Sequence, residues 1–186
     1  NLKIYKNRNF KYDLFFALSH GVHRGTLKKG KIDLRETFVK KLVNLNNQVR
    51  FNLFGLNNKQ PVWAENFRSE LNKSKMALNL SQGKPLKFYS SDRIAQLIGN
   101  GILTFIDFKT GLNKIFTNKE VIFYKNINDL SKKIMKYKNL DKQRKMISKR
   151  GMIKYHKHMN SIKIASYIIN KTFNFNNKEK FFWENK

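Results

Sequence analysis

Two segments of this 186-residue chain carry residue types and spacings suited to holding a phosphorylated anion. The first reads Ser19-His20-Gly21-Val22-His23-Arg24-Gly25-Thr26-Leu27-Lys28-Lys29-Gly30-Lys31. Its glycines would let the backbone approach a ligand closely. Arg24, with Lys29 or Lys31, could clamp a diphosphate through charge-assisted hydrogen bonds. His20, Gly21 and His23 belong to the same stretch. It lacks the Gly-Lys-Ser/Thr ending of a P-loop and the GxGxxG of a dinucleotide site. A solvated basic loop accounts for these residues equally well.

The second segment reads Tyr89-Ser90-Ser91-Asp92-Arg93-Ile94-Ala95-Gln96-Leu97-Ile98-Gly99-Asn100-Gly101. Ser90 or Ser91 suits the N-cap of a short helix, where free backbone N–H groups and the helix dipole attract an anion. Gln96 lies about one turn inside. Ile94, Leu97 and Ile98 form the inward face. The plain alternative is an ordinary capped helix whose dipole is complemented by Asp92.

Other chemistries find little support. His156 and His158 stand two apart in a helical pattern, so they do not share a face, and no carboxylate is spaced to complete a metal site. Neither a nucleophile elbow nor a Ser-His-Asp order occurs. With no cysteine, thiolate metal sites and disulfides are excluded. The formal charge of +27 and pI near 10.3 favour anionic partners. The lysines are spread along the whole chain, however, in a background rich in Lys, Asn, Ile and Phe. No apolar run approaches the roughly 18–20 residues that span a bilayer. The chain opens on Asn1 rather than Met, and we read it as a piece of a longer protein.

The elements that must position these segments alternate between short apolar runs and helical patterns, which is the signature of βαβ units. Strands are predicted at Asp13–Leu18, Val49–Phe54, Met76–Leu80, Ile102–Ile106 and Val121–Tyr124. Helices are predicted at Asp33–Asn46, Ala64–Lys73, Ser91–Gly99, Asp129–Lys138, Asp141–His156 and Ser161–Lys171. Asp129, Asp141 and Ser161 suit N-cap or first-turn positions. The expected fold is α/β, a Rossmann-like doubly wound parallel sheet of about five strands with C-terminal helices. Residues 1–12 are expected to be a linker, 13–173 the domain and 174–186 a tail. Ligands of such sheets bind beyond the carboxyl ends of the strands, which points to Ser19–Ile32, Ser81–Arg93 and Asp107–Asn113.

Four runs complete the picture: Met76-Ala77-Leu78-Asn79-Leu80-Ser81, Tyr89-Ser90-Ser91-Asp92-Arg93, Gly99-Asn100-Gly101 and Thr104-Phe105-Ile106-Asp107. In order and type they resemble the glycosyl transferases group 1 and the related spore-maturation-type glycosyltransferase-like proteins, over roughly Asp13 to Phe173. The resemblance implies a GT-B fold, in which two Rossmann-like domains face across a cleft. This chain resembles the C-terminal, nucleotide-sugar-binding domain. It further implies a nucleotide-diphosphate sugar as donor, no metal or other cofactor, and a glycan, lipid-linked or protein acceptor in surface polysaccharide or glycoprotein assembly. An N-terminal domain of the same chain would be the partner.

By position, the basic loop matches the family's diphosphate-binding Arg and Lys, so Arg24 and Lys31 take the catalytic roles, with Lys29 as the alternative lysine. Tyr89, Ser90, Ser91, Asp92, Arg93 and Gln96 join the donor site. The family usually carries Glu where Gln96 stands, and that Glu typically binds the donor ribose. Gln can still hydrogen-bond a hydroxyl but without charge. The expected location is cytoplasmic, with a basic face able to rest against anionic lipid at the inner membrane. The rival readings are a basic nucleic-acid-binding module, supported only by charge, and an inactive glycosyltransferase-like binding domain.

Overall fold

The computed structural model describes residues 10–18, 34–56, 59–175 and 181–184, and the backbone alone at 26–27 and 31–32. Its elements in chain order are β1 (Tyr12–Ala17), β2 (Thr26–Leu27), β3 (Lys31–Ile32), α1 (Leu34–Asn44), β4 (Phe51–Phe54), α2 (Ala64–Asn72), β5 (Ser74–Asn79), α3 (Asp92–Gly99), β6 (Leu103–Asp107), β7 (Ile122–Tyr124), α4 (Ile127–Asn139), α5 (Asp141–His158) and α6 (Ser161–Thr172). Two short 3-10 turns, Phe108–Thr110 and Leu112–Lys114, follow β6.

Five of the strands form one parallel sheet in the order β4-β1-β5-β6-β7. All five predicted strands are present, each within two residues of its expected bounds. The segment predicted as a loop over Ser19–Ile32 departs from expectation. Its backbone at β2 and β3 pairs antiparallel, Thr26 with Ile32 and Leu27 with Lys31. β-Branched residues favour extended backbone, and Thr26 and Ile32 were the available signal.

Pleating sends successive side chains to opposite faces of the sheet, and the chain is apolar at both parities, as a doubly covered sheet requires. Leu14, Phe16, Met76, Leu78, Leu103 and Phe105 pack beneath Val39 and Leu42 of α1 and Leu130 and Ile134 of α4. Phe15, Ala17 and Ala77 face the other way, against Leu71 of α2 and Leu97 of α3. Ile94 and Ile98, on the same face of α3, join Ile106, Phe123 and Phe116 in a third cluster. Each fully buried side chain of this kind contributes on the order of 1.5–3 kcal/mol.

The two ends of the sheet differ in chemistry. At the amino end, Asp13 is fully buried, accepting from the Arg50 amide at 3.0 Å. Lys75 Nζ stands 3.1 Å from its Oδ1, and Arg50 Nε and Lys138 Nζ stand 3.6 and 3.8 Å from Oδ2. Burial pushes this carboxyl upward, but the Arg50 amide and the Lys75 ammonium outweigh it and hold it below its ordinary 3.8. The carboxyl end of the sheet carries the cleft.

The C-terminal helices are joined by side chains that bind helix ends. Asn126 caps α4 by accepting from the Asp129 amide, while the Asp129 carboxylate reaches back to the Lys125 amide. Asn160 caps α6 through the Lys163 amide. Asp129, Asp141 and Ser161 therefore sit in first turns, with Asn126, Leu140 and Asn160 at the caps. Buried Arg144 donates to the Tyr137 and Lys138 carbonyls at the end of α4 and pairs with Asp141.

Candidate functional site

The sheet order places β4 on one side of β1 and β5 on the other, so the chain reverses its direction of progress across the sheet between β1 and β5. Counted in chain order within the sheet, the strands run 2-1-3-4-5, and ligands of such sheets bind where the order reverses. A cleft of about 350 Å³ opens there. Ala17 and Leu18 at the end of β1 form its floor, with Ser81 and Gln82 following β5. One wall is the amino-terminal turn of α3, through Ser91, Asp92, Arg93 and Gln96. The opposite wall is Val62, Trp63, Ala64 and Phe67 at the start of α2, and Arg35 comes from the first turn of α1.

Arg93 closes the switch point chemically. Its guanidinium donates to the Leu80 carbonyl at 2.8 Å and to the Ala17 carbonyl at 3.4 Å, and it lies 5.6 Å from the centre of the Phe16 ring. Strand ends leave carbonyls beyond the ladder, and a planar fork of five donors can serve two of them at once. Arg93 thus ties the carboxyl ends of β1 and β5 together at the cleft floor.

Ser91 occupies the N-cap of α3, as expected, but its hydroxyl makes no capping bond. The Ile94 amide bonds the Ser91 carbonyl at 2.9 Å instead, and the buried Ser91 Oγ finds no hydrogen-bond partner among the described residues. Gln96 donates to the Asp92 carboxylate one turn earlier, at 2.6 Å. Gly101, at φ 65°, ends the helix by bonding the Ile98 carbonyl at 2.9 Å. His156, an exposed residue of α5, donates from Nε2 to the Gly99 carbonyl at 2.8 Å and so satisfies the same helix end.

Of the residues expected from the sequence, Tyr89, Ser91, Asp92, Arg93 and Gln96 come together at the cleft. Ser90 lines an adjoining apolar hollow of about 570 Å³, walled by Phe88, Ala95, Tyr155, Tyr167 and Trp183, which shares Ser91 and Asp92 with the cleft. His20, Gly21, His23, Arg24 and Lys29 lie outside the described residues, and so does the side chain of Lys31, whose backbone forms β3. Asp107–Asn113 does not border the cleft. It braces the Ser81–Tyr89 segment from behind, with the Thr110 carbonyl accepting from the Phe88 amide at 2.8 Å. Among the described residues no group of three His, Asp or Glu side chains converges as a metal site would require.

Arg35 and Trp63 are among the cleft residues that the sequence did not single out. Arg35 is buried despite its charge. It stands in the first turn of the helix after β1, a position the strand-end rule favours. Trp63 is exposed at the mouth. It precedes α2, in the connection leaving β4, whose carboxyl end borders the same crevice. Next to it Ala64 holds φ 46°, a left-handed conformation that costs a non-glycine residue roughly 1 kcal/mol or more.

A five-stranded parallel sheet, covered by helices on both faces and opened at its switch point, defines a Rossmann-like domain of the kind used in GT-B folds. The chain belongs to the glycosyl transferase-like family, whose model matches residues 35–170. The crystal structure of TarM superposes with a TM-score of 0.62 at 16% identity, over 89% of this chain and 36% of that one. Sucrose-phosphate synthase from Thermosynechococcus elongatus superposes with a TM-score of 0.57 at 12% identity, over 87% of this chain and 38% of that one. At such identities the likeness shows the fold. The chain therefore spans little more than a third of the length of either neighbour. Among curated proteins no sequence relative is found.

Proposed function

We propose that this chain is the donor-binding domain of a glycosyltransferase and holds a nucleoside diphosphate sugar by its diphosphate in the switch-point cleft. The observation that carries the reading is the meeting, at one rim of the sheet, of the α3 amino terminus and the buried Arg35. Free N–H groups and the dipole at a helix start attract an anion, and Arg35 adds a full positive charge beside them. We add Arg24 and Lys31, which follow β1 in the sequence, to the proposed diphosphate site as further cations. Gln96 offers an amide to a donor hydroxyl in place of the Glu usual in the resembling family.

In the transfer, an acceptor hydroxyl oxygen bonds to the anomeric carbon while the bond from that carbon to the diphosphate oxygen breaks. The electron pair leaves with the nucleoside diphosphate, and the hydroxyl proton passes to a base on the acceptor side. Charge grows on the diphosphate as it departs, so preorganised cations and N–H dipoles lower the barrier. The acceptor is a glycan, lipid-linked or protein hydroxyl, and an N-terminal domain completes the cleft.

A screen of nucleoside diphosphates by thermal shift tests the reading. A ligand at about 100 times its Kd adds roughly 2.7 kcal/mol to stability, so one nucleotide should raise the Tm by several degrees. In sugar transfer by the longer protein, Arg24→Ala should lower turnover about tenfold or more. If no nucleotide moves the Tm while oligonucleotides bind with a steep salt dependence, a nucleic-acid surface replaces this reading.

A further inference from the structure

Asp92 has the wrong sign for a diphosphate. Among the described residues lining the cleft it is the one acid, set beside Arg35 and Arg93. The basic background of the chain, 39 Lys and Arg against 12 Asp and Glu, accounts for cations at this rim but not for an acid there. In the first turn of α3 the carboxylate complements the helix dipole. That place also sets it against any phosphate drawn to the same helix start. The carboxylate is tethered: Gln96, which lines the cleft as well, donates from Nε2 to its Oδ2 at 2.6 Å. The pair steadies the helix and fixes the orientation in which Oδ1 meets a ligand. Asp92 also borders the adjoining hollow, so it stands where the two concavities meet.

We propose that Asp92 is a specificity residue: it accepts hydrogen bonds from hydroxyls flanking the diphosphate and so favours a nucleoside diphosphate, or its sugar ester, over a bare polyphosphate. The inference rests on the donor-site reading above. An ionised carboxylate accepts hydrogen bonds and donates none. On either side of its diphosphate, a nucleoside diphosphate sugar offers hydroxyls, those of the ribose and those of the hexose. Bonds to a charged acceptor are roughly twice as strong as neutral ones. Repulsion from Asp92 acts on every phosphate ligand alike, and the hydroxyl-bearing ones offset it, so selectivity arises as a difference between ligands. A site arranged around a hydroxyl rejects the analogue lacking it, because the protein's own polar group is then left unpaired.

Isothermal titration of the chain tests the proposal, with EDTA present so that no divalent cation bridges acid and phosphate. UDP, GDP, ADP and CDP are titrated first. The 2′-deoxy and 3′-deoxy forms and the glucose ester of the tightest binder follow, with inorganic pyrophosphate. In Asp92→Asn, pyrophosphate should bind several-fold more tightly, because a like charge is gone. That relief is common to all these ligands and cancels in their ratios. The preference for the hydroxyl-bearing ligand over pyrophosphate should nevertheless fall about tenfold or more. If the hydroxyls are those of the ribose, the variant loses the preference for the nucleoside diphosphate over a deoxy form. If they are those of the hexose, it loses the preference for the glucose ester over the diphosphate. Asn suits a helix start and position 92 is exposed, so circular dichroism should show the parent fold. An equal change for every ligand would mean that Asp92 acts through its charge alone, and overturns the proposal. A parent chain that binds none of the nucleotides would instead sink the donor-site reading, and this inference with it.

Discussion

Arg93 is the residue on which the cleft floor depends. One planar group serves the ends of two adjacent strands, at Leu80 and Ala17, and rests against the Phe16 ring. A lysine at the same place carries the charge but not the fork. Arg93→Lys should therefore cost about 1–2 kcal/mol through the carbonyl left behind, which for a chain of this size lowers the Tm by roughly 2–8 °C. If the cleft binds a nucleoside diphosphate, its Kd should weaken in the same variant because the strand ends lose their tie. An unchanged Tm would mean that water replaces the guanidinium without loss. Gln96 illustrates a compensation at the same scale. Its amide can hydrogen-bond Asp92 one turn away, where a Glu at the same position would place two carboxylates at i, i+4 and repel.

At the scale of elements, α5 decides how the carboxyl-terminal helices close on the sheet. Gly151 lies where α5 crosses the connection before β7, and a Cβ built there would fall 2.3 Å from the Glu120 carbonyl oxygen. Two effects oppose each other. Glycine in a helix interior costs up to about 1 kcal/mol relative to alanine, so Gly151→Ala would ordinarily stabilise. The close approach to a backbone atom forces the helix or the connection to shift, at a cost of about 1–3 kcal/mol or more. The clash should win, and a urea unfolding midpoint below that of the parent would show it. A raised midpoint would mean that the connection yields freely. The short contact also explains why an 18-residue helix of mostly polar sequence tolerates glycine at its centre.

For the whole molecule, the scarce acids are the vulnerable component. Asp13, Glu70, Glu120, Asp129 and Asp141 are all held below their ordinary values. In each, burial pushes upward and is outweighed by hydrogen bonds and nearby lysines, arginines or amides. A carboxyl whose folded value is lowered stabilises the fold above its unfolded value, and this stabilisation is lost as pH falls through the folded value. The Tm should therefore be nearly flat between about pH 5 and 7 and drop steeply below about pH 4. Losing twelve acids against thirty-nine Lys and Arg also increases self-repulsion. Asp13→Asn, which strips the buried partner from Lys75 and Lys138, should cost about 3–5 kcal/mol at neutral pH and shrink the acid-sensitive part of the stability. Equal acid sensitivity of variant and parent would assign that limb to the other carboxylates.

The amino-acid order alone determined the alternation of strand and helix and the parallel sheet, and it singled out the stretch Tyr89–Gln96, five residues of which line the cleft. Those features are local: apolar runs of strand length, period-3.6 faces and a serine before a helix are all visible within a few residues. Tertiary structure decided what depends on distant partners. Arg93 became a clasp for two carbonyls, 13 and 76 residues away, rather than an evident ligand group. The Ser91 hydroxyl stayed out of the cap because a backbone carbonyl took its amide. Arg35 and Trp63 entered the cleft because the sheet order, β4 beside β1 and β5 beyond, brings the starts of α1 and α2 to one rim. Strand order is set by which faces bury best against which helices across the whole chain, and no window of sequence contains that sum.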